Sequence, residues 1–500
     1  MMAAVLSALL AIAVLTIRPL PEGTQLHVRL TTTVGSYASK PGSPVSAVLI
    51  APVMRGVETV LPAGSTLSGR VKAVTRVGFG VRHETAGLDL EFNQVTPLDA
   101  DAVPVSAQVA AVDNSRERVA RDGSIQGVRS TGSLCYRVSG YIRTALQWEV
   151  HAEIADWVIR SFIMELPEPE IYYPAGVELT LTLTQPLSLD VPLAAPVNFG
   201  RQAASQLTDD QREELAHDVA AMPYRTQSPR SGRSADVTNV LFIGSRDQIV
   251  TAFAAAGWTQ ANPSSLRRRI NWIRAAGELR GDQAAPMSLL LLNGAEPDMS
   301  WEKGLNDVAK RHHIRMWKED TTWDGREMWV GAATRDVDFA YMRPGGKLSH
   351  KIEEDVDQER DKVAYDLAFT SCGNLLGWTE RADLPRIARN ATGDPISTDG
   401  RMVAIELNDC DAPRRSTETV DSTPLPEHGD KWQRFARREV LSARNGLLRT
   451  NPYWRTYEGS RWLVEWIRRR RQENSAPELA SKSSPSGFFQ SVRLAAERMQ

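Results

Sequence analysis

What this chain lacks narrows its chemistry more than what it contains. Three cysteines among 500 residues, Cys135, Cys372 and Cys410, are odd in number and widely spaced. They exclude a multi-bridge disulfide scaffold and any CxxC metal knuckle, and leave room for at most one bridge, between Cys372 and Cys410. Neither GxGxxG nor GxxxxGK[ST] occurs, so no nucleotide or other cofactor is expected, and GxSxG and HExxH are missing as well. Charge of one sign is also lacking: 59 basic against 61 acidic residues give a formal net charge of -2, which removes any global electrostatic case for nucleic acid as a partner. The longest apolar run, Ala3 to Ile17, falls short of the ~20 residues of a spanning helix. No tryptophan precedes Trp148, although the chain holds 13, so its two halves have differently built cores.

The apolar run ends at Arg18 and Pro19 and fits the hydrophobic region of a secretory signal or an N-terminal anchor, residues 1–19. It lacks a preceding Lys or Arg, and its one A-x-A, Ala11 to Ala13, lies inside the run. An exported protein, periplasmic or otherwise associated with the envelope, is the expectation.

Length predicts two to four domains at ~100 to 200 residues each. In the first, residues 20–195, a pattern recurs at Pro21 (PEGTQLHVRL), Pro62 (PAGSTLSGRV) and Pro174 (PAGVELTLTL): a Pro/Gly turn followed by alternating strand residues. With further alternation at 45–50, 87–92 and 103–112, it predicts an all-β barrel or sandwich. One helical excursion is expected at about 145–165, and the Gly/Ser/Arg-rich segment Asn114 to Gly132 reads as a mobile loop. Residues 196–236 read as a linker with one short helical stretch at 207–221.

An α/β domain follows over residues 237–412, in which Val240 to Ile243 is a strand, Ser245 with Gln248 is a capping box, and Met287 to Leu292 is a second strand. The whole is thus multidomain α+β. Residues 413–500 form a basic, aromatic helical tail with a disordered end; its part from Lys431 to Arg471 suits either an anionic membrane surface or docking on the domain by an aromatic face.

The chemistry-bearing stretch is Arg311 to Asp361, which holds three of the eight histidines. Asp324-Gly325 and Gly345-Gly346 are hairpin turns, so three antiparallel strands form a meander. Two-residue turns without a bulge put His313 opposite Asp336, Arg315 opposite Thr334 and His350 opposite Tyr341. Alternation then places His312 and His350 on a core face, as neutral imidazoles, and His313, Arg315, Trp317, Asp336 and Asp338 on a polar face. His313, Asp336 and Arg315 are the candidate catalytic group, a base with an anion-binding partner; His313, Asp336 and Asp338 are the candidate metal ligands; a cross-strand ion pair is the bland alternative. Acids after Asp355 cap and charge a helix N-terminus rather than form a metal loop.

VTNVLFIGSRDQIVTAFAAAGW, RHHIRMW, WVGAATRD, HKIEEDVDQERD and NATGDPISTDGR, between about residues 236 and 411, resemble the LssY C-terminal domain family of bacteria, described as a component of type I secretion systems. The paired PEG/PAG strands resemble, loosely, the β-rich domain of TrbI-like conjugation proteins. The LssY resemblance carries no catalytic residues, and the histidine and arginine signatures of the phosphatase domain joined to some relatives are missing. It implies a non-enzymatic envelope protein whose partners are other envelope or secretion proteins; a hydrolase or metal-dependent enzyme using His313, Asp336 and Arg315 is the alternative.

Overall fold

Alternation in the first half does what period two dictates: Leu26 and Val28, Val45, Ala47 and Leu49, Leu88, Leu90 and Phe92, and Leu179, Leu181 and Leu183 all point into one core. The computed structural model describes residues 19–133, 166–188, 207–261, 274–281, 287–342, 347–410 and 427–450, with isolated exceptions and a few positions beyond. Strands β1 (Gln25–Leu30), β2 (Pro44–Leu49), β3 (Thr66–Thr75), β4 (Gly87–Thr96), β5 (Val103–Val112) and β6 (Glu178–Leu183) run in the spatial order β3-β2-β1-β6-β5-β4. A further antiparallel β3–β4 ladder closes them into a six-stranded barrel. At Gly69 a β-carbon would lie 1.9 Å from the Glu91 carbonyl oxygen, so the two strands approach there as only glycine allows.

The segment Asn114 to Gly132, expected as a mobile loop, is packed. Asn114, Ser115, Glu117 and Ser130 are buried, and two short strands and a 3-10 turn are built from it. Its polar side chains find partners inside the protein: the Ser115 hydroxyl donates to Glu117 at 2.5 Å, and the Asn306 amide donates to the same carboxylate at 2.8 Å. The helical excursion at 145–165 and the apolar N-terminal run lie outside the described residues. Among described residues, no helix is long and apolar enough to cross a membrane.

The second sheet is mixed. Its strands are β7 (Val240–Ile243), β8 (Thr259–Gln260), β9 (Met299–Gly304), β10 (Arg311–Trp323), β11 (Arg326–Met342), β12 (Lys347–Ile352), β13 (Gly373–Glu380) and β14 (Arg401–Leu407). Their order is β8-β9-β10-β11-β7-β14-β13, with β12 on the far half of β11. Only the β7–β14 pair is parallel. Met287 to Leu292, expected as a strand, holds only isolated bridges at Leu291 and Leu292; the strand falls instead at Met299–Gly304, next to β10.

Helices cover both faces. α1 (Asp209–Ala221), lying in the segment read as a linker, packs Leu215 and Val219 against Leu241, Trp317, Val330 and Ala404. α2 (Arg246–Ala255) and α3 (Val356–Phe369) cover the opposite face, where Phe253, Val363 and Leu367 meet Ile314, Met316, Trp329 and Val403. The Ser245/Gln248 capping box starts α2, and Asp355 caps α3.

The Asp324-Gly325 turn forms as expected, both residues taking positive φ (50° and 71°), which a two-residue hairpin of this hand requires. Beyond it the ladder slips. A bulge between Lys318 and Thr322 shifts the register by two, so Asp336 pairs with Arg311 and not with His313, His313 pairs with Thr334, and Arg315 with Ala332. His350 pairs with Phe339 rather than Tyr341. The shift of two keeps the facing side chains of β10 and β11 on their expected faces, but a one-residue bulge between Asp336 and Asp338 puts Ile352 opposite Asp336 and brings His350, expected on the core face, to the Asp336 side. The face read as polar is not solvated, however: α1 and its surroundings bury His313, Arg315, Trp317 and Asp336.

The chain divides into two compact units, Met1–Leu441 and Ser442–Gln500. Cys372, just after α3, and Cys410, just after β14, form a disulfide within the first.

Candidate functional site

β10 and β11 bring the expected residues near one another but not into the expected arrangement. The His313 Nε2 lies 2.7 Å from the Thr334 hydroxyl, while its Nδ1 stands 3.7 Å from Asp336, too long for a hydrogen bond. Asp336 belongs to Arg311, whose Nε donates to it at 2.9 Å while a second guanidinium nitrogen holds Glu302 at 2.8 Å. His350 Nδ1 is 3.4 Å from the same Asp336 oxygen. Arg315 turns away and binds Asp236 at 3.1 Å and the Ser288 carbonyl at 2.9 Å. Asp338 accepts from the Phe339 backbone at 2.8 Å and joins neither group.

Electrostatics follow from this enclosure. Burial, reinforced by Arg315 and Arg311, pushes the His313 imidazole down to about 3, so it is neutral at any ordinary pH. Burial would raise Asp336, yet His313, His350 and Arg311 hold it at about 2. With His313 neutral and His350 lowered by burial, Arg311 is the partner that keeps this carboxylate ionised at pH 7. A general base works best with a pKa near the operating pH and in reach of substrate, and His313 has neither. Among the described residues, no three His, Cys, Asp or Glu side chains are arranged to hold a metal ion.

The denser constellation lies one residue away, on the other face. His312 is buried, but it is not the neutral core imidazole its apolar neighbours suggest. Its Nδ1 meets Glu359 of α3 at 2.6 Å and its Nε2 meets Asp113, at the end of β5, at 2.6 Å. Burial opposes the charge, and the two carboxylates outweigh it, raising His312 to about 9. Arg335 also pairs with Asp113.

Beside it, Arg29 of β1 donates to Glu178 of β6 at 2.7 Å and to Asp366 of α3 at 3.1 Å. Lys303 of β9 bridges the same two carboxylates at 2.7 and 3.0 Å, and Lys362 of α3 does so at 2.8 and 2.6 Å. The Trp258 indole donates to Asp366 at 2.9 Å. Burial would raise Glu178, but Lys303, Lys362 and Arg29 hold its carboxyl well below the usual range. The barrel and the second sheet are therefore joined by a buried seam of alternating charge. Buried ion pairs add little over an apolar contact, yet removing one partner costs about 3–5 kcal/mol. Such a seam fixes one docking geometry.

Sequence reasoning passed over Asp113, Glu359 and Asp366. A signal existed for two of them: Glu359 and Asp366 share the stripe of α3 that carries Val356, Val363 and Leu367, and carboxylates on an apolar stripe call for buried partners. Nothing local marks Asp113, 199 residues before its histidine.

Residues 216–402 match the family model described as LssY C-terminus, a span that starts inside α1 and ends in β14. No curated protein matches the chain. Among solved structures, ComB10 of the Com type IV secretion system of Helicobacter pylori is similar to the N-terminal β region at 10% identity and a TM-score of 0.21, covering 36% of this chain and 95% of that one.

Proposed function

Starting from an LssY C-terminus match over residues 216–402, we propose that the protein is an exported, envelope-associated, non-enzymatic component that acts through protein contacts in secretion or envelope organisation, with residues 431–471 as a contact for an anionic membrane surface. The observation that carries export is the Cys372–Cys410 bridge. Disulfides form and persist in oxidising compartments such as the periplasm and are rare in the cytosol. Against the hydrolase alternative stands the state of its proposed base: His313 is 4% exposed and neutral, and Arg315 is committed to Asp236. The buried charge seam supports a binding role, because it holds the barrel and the LssY-type lobe in one docking geometry.

The test is thiol trapping in the intact producing cell. Cys372 and Cys410 should resist a maleimide until a reductant is added, and only Cys135 should be free to react. Alkylation of Cys372 or Cys410 without reductant would remove the case for export.

A further inference from the structure

Helix α4 (Lys431–Thr450) meets the barrel through an unusual anchor. Among its residues 431–441 only Arg437 and Leu441 are buried. The Arg437 guanidinium is 1% exposed and sits in an acidic cradle: it donates to Glu168 and to the Gly78 carbonyl, donates to the His428 carbonyl at 3.1 Å, lies 3.9 Å from Glu170, and packs 5.7 Å from the Tyr37 ring centroid. Leu441 rests on Gly80, where an added β-carbon would come within 2.5 Å of its Cδ2. Trp432 is 71% exposed.

Residues 431–471 contain twelve Lys and Arg against three Glu. A segment of this composition that opens with a helix bearing an exposed indole suits a surface of anionic phospholipid headgroups, at roughly 1 kcal/mol per basic residue near the surface. Among the described residues of the helix, Arg437 is the arginine that is buried, and carboxylates hold it, so barrel and lipid compete for the same charge.

We propose that the Glu168/Glu170 cradle is a clasp that restrains the basic helix through Arg437, and that an anionic bilayer draws the helix off the barrel by offering its arginines a larger negative surface. This rests on the membrane reading given above. Among the described contacts, the helix rests one buried leucine on the barrel, accepts a hydrogen bond from the Tyr37 hydroxyl at Gln433 at 2.7 Å, and is held in its acidic cradle by Arg437, a charge that a competing anionic surface can draw away.

The test uses the full chain, vesicles of phosphatidylglycerol with phosphatidylcholine, vesicles of phosphatidylcholine alone, and low salt. Arg437→Gln removes a positive charge yet opens the clasp, so it should bind the anionic vesicles several-fold more tightly than the wild type. Glu168→Gln leaves every helix charge in place and should do the same. Arg434→Gln, outside the cradle, should bind about fivefold more weakly. Trypsin sensitivity after Arg434 and Arg438 should rise in the two clasp variants before any vesicle is added.

If the wild type binds and both clasp variants bind no better, the clasp is wrong while the membrane reading stands. If no protein binds the anionic vesicles, both fall. Should Arg437→Gln not fold, Glu168→Gln decides alone.

Discussion

Replacing His312 by Gln gives a pH-dependent loss of stability whose size and sign follow from the seam. The ring is 3% exposed and lies 2.6 Å from both Asp113 and Glu359. Burial alone would lower it; the two carboxylates raise it to about 9, against about 6.5 in an unfolded chain. At 1.36 kcal/mol per pH unit that gap is worth about 3 kcal/mol. The same contact is what depresses Asp113, so it counts once. Because the folded state holds the proton more tightly, the contribution is complete below pH 6.5, declines as pH rises, and is gone above about pH 9. Glutamine can still donate to one carboxylate but carries no charge. Urea unfolding should therefore show the variant about 3 kcal/mol less stable at pH 6, with the two proteins converging near pH 9.5. Trp258, whose ring lies 6.1 Å from that of His312, offers a fluorescence reporter at the seam itself. A wild-type advantage that stays constant from pH 6 to 9.5 would refute a charged His312.

Two further outcomes are expected. His313→Gln should change stability by an amount that is constant above about pH 7 and shifts in the variant's favour by about 2 kcal/mol as pH falls to 5, because the folded imidazole stays neutral while that of the unfolded chain, near 6.5, takes up a proton in the wild type alone; a difference that stays flat from pH 5 to 8 in the same urea titration would contradict its burial. Replacing Cys372 and Cys410 by Ser together opens a loop of 38 residues and should lower unfolding stability by about 4 kcal/mol on chain-entropy grounds, with reductant giving the wild type the same denaturation midpoint.

The barrel was legible because its strands carry their own alternation, three of them after a PEG or PAG turn, and the lobe beyond Val237 because capping boxes and a two-residue turn are local. What escaped was set by contacts far apart in the chain. The Asp324-Gly325 turn was readable, but the bulge between Lys318 and Thr322 was not, and it handed Asp336 from His313 to Arg311. Faces survived that error on β10 and β11 because it was an even shift, whereas the one-residue bulge between Asp336 and Asp338, equally unreadable, carried His350 to the Asp336 side. The polar face was misjudged for a different reason: α1 lies in a segment whose composition reads as a linker, so the cover it provides over Trp317 and Val330 could not be anticipated. His312 shows the converse, since Ile314 and Met316, which share its strand face, are apolar while its partners come from β5 and α3.

The six-stranded ring has no first and no last member. Each of its six strands is hydrogen-bonded to both ring neighbours, and the sheet runs on from β4 through two short strands, Ile125–Gln126 and Arg118–Val119, so the ring itself offers no long backbone template on which another chain could extend the sheet. The mixed sheet does stop, at β8, at β12 and at β13, and β13 is interrupted by a bulge between Leu375 and Gly377, a device that blunts an open edge. The ring thus has no edge to protect, and the mixed sheet blunts the longest of its three.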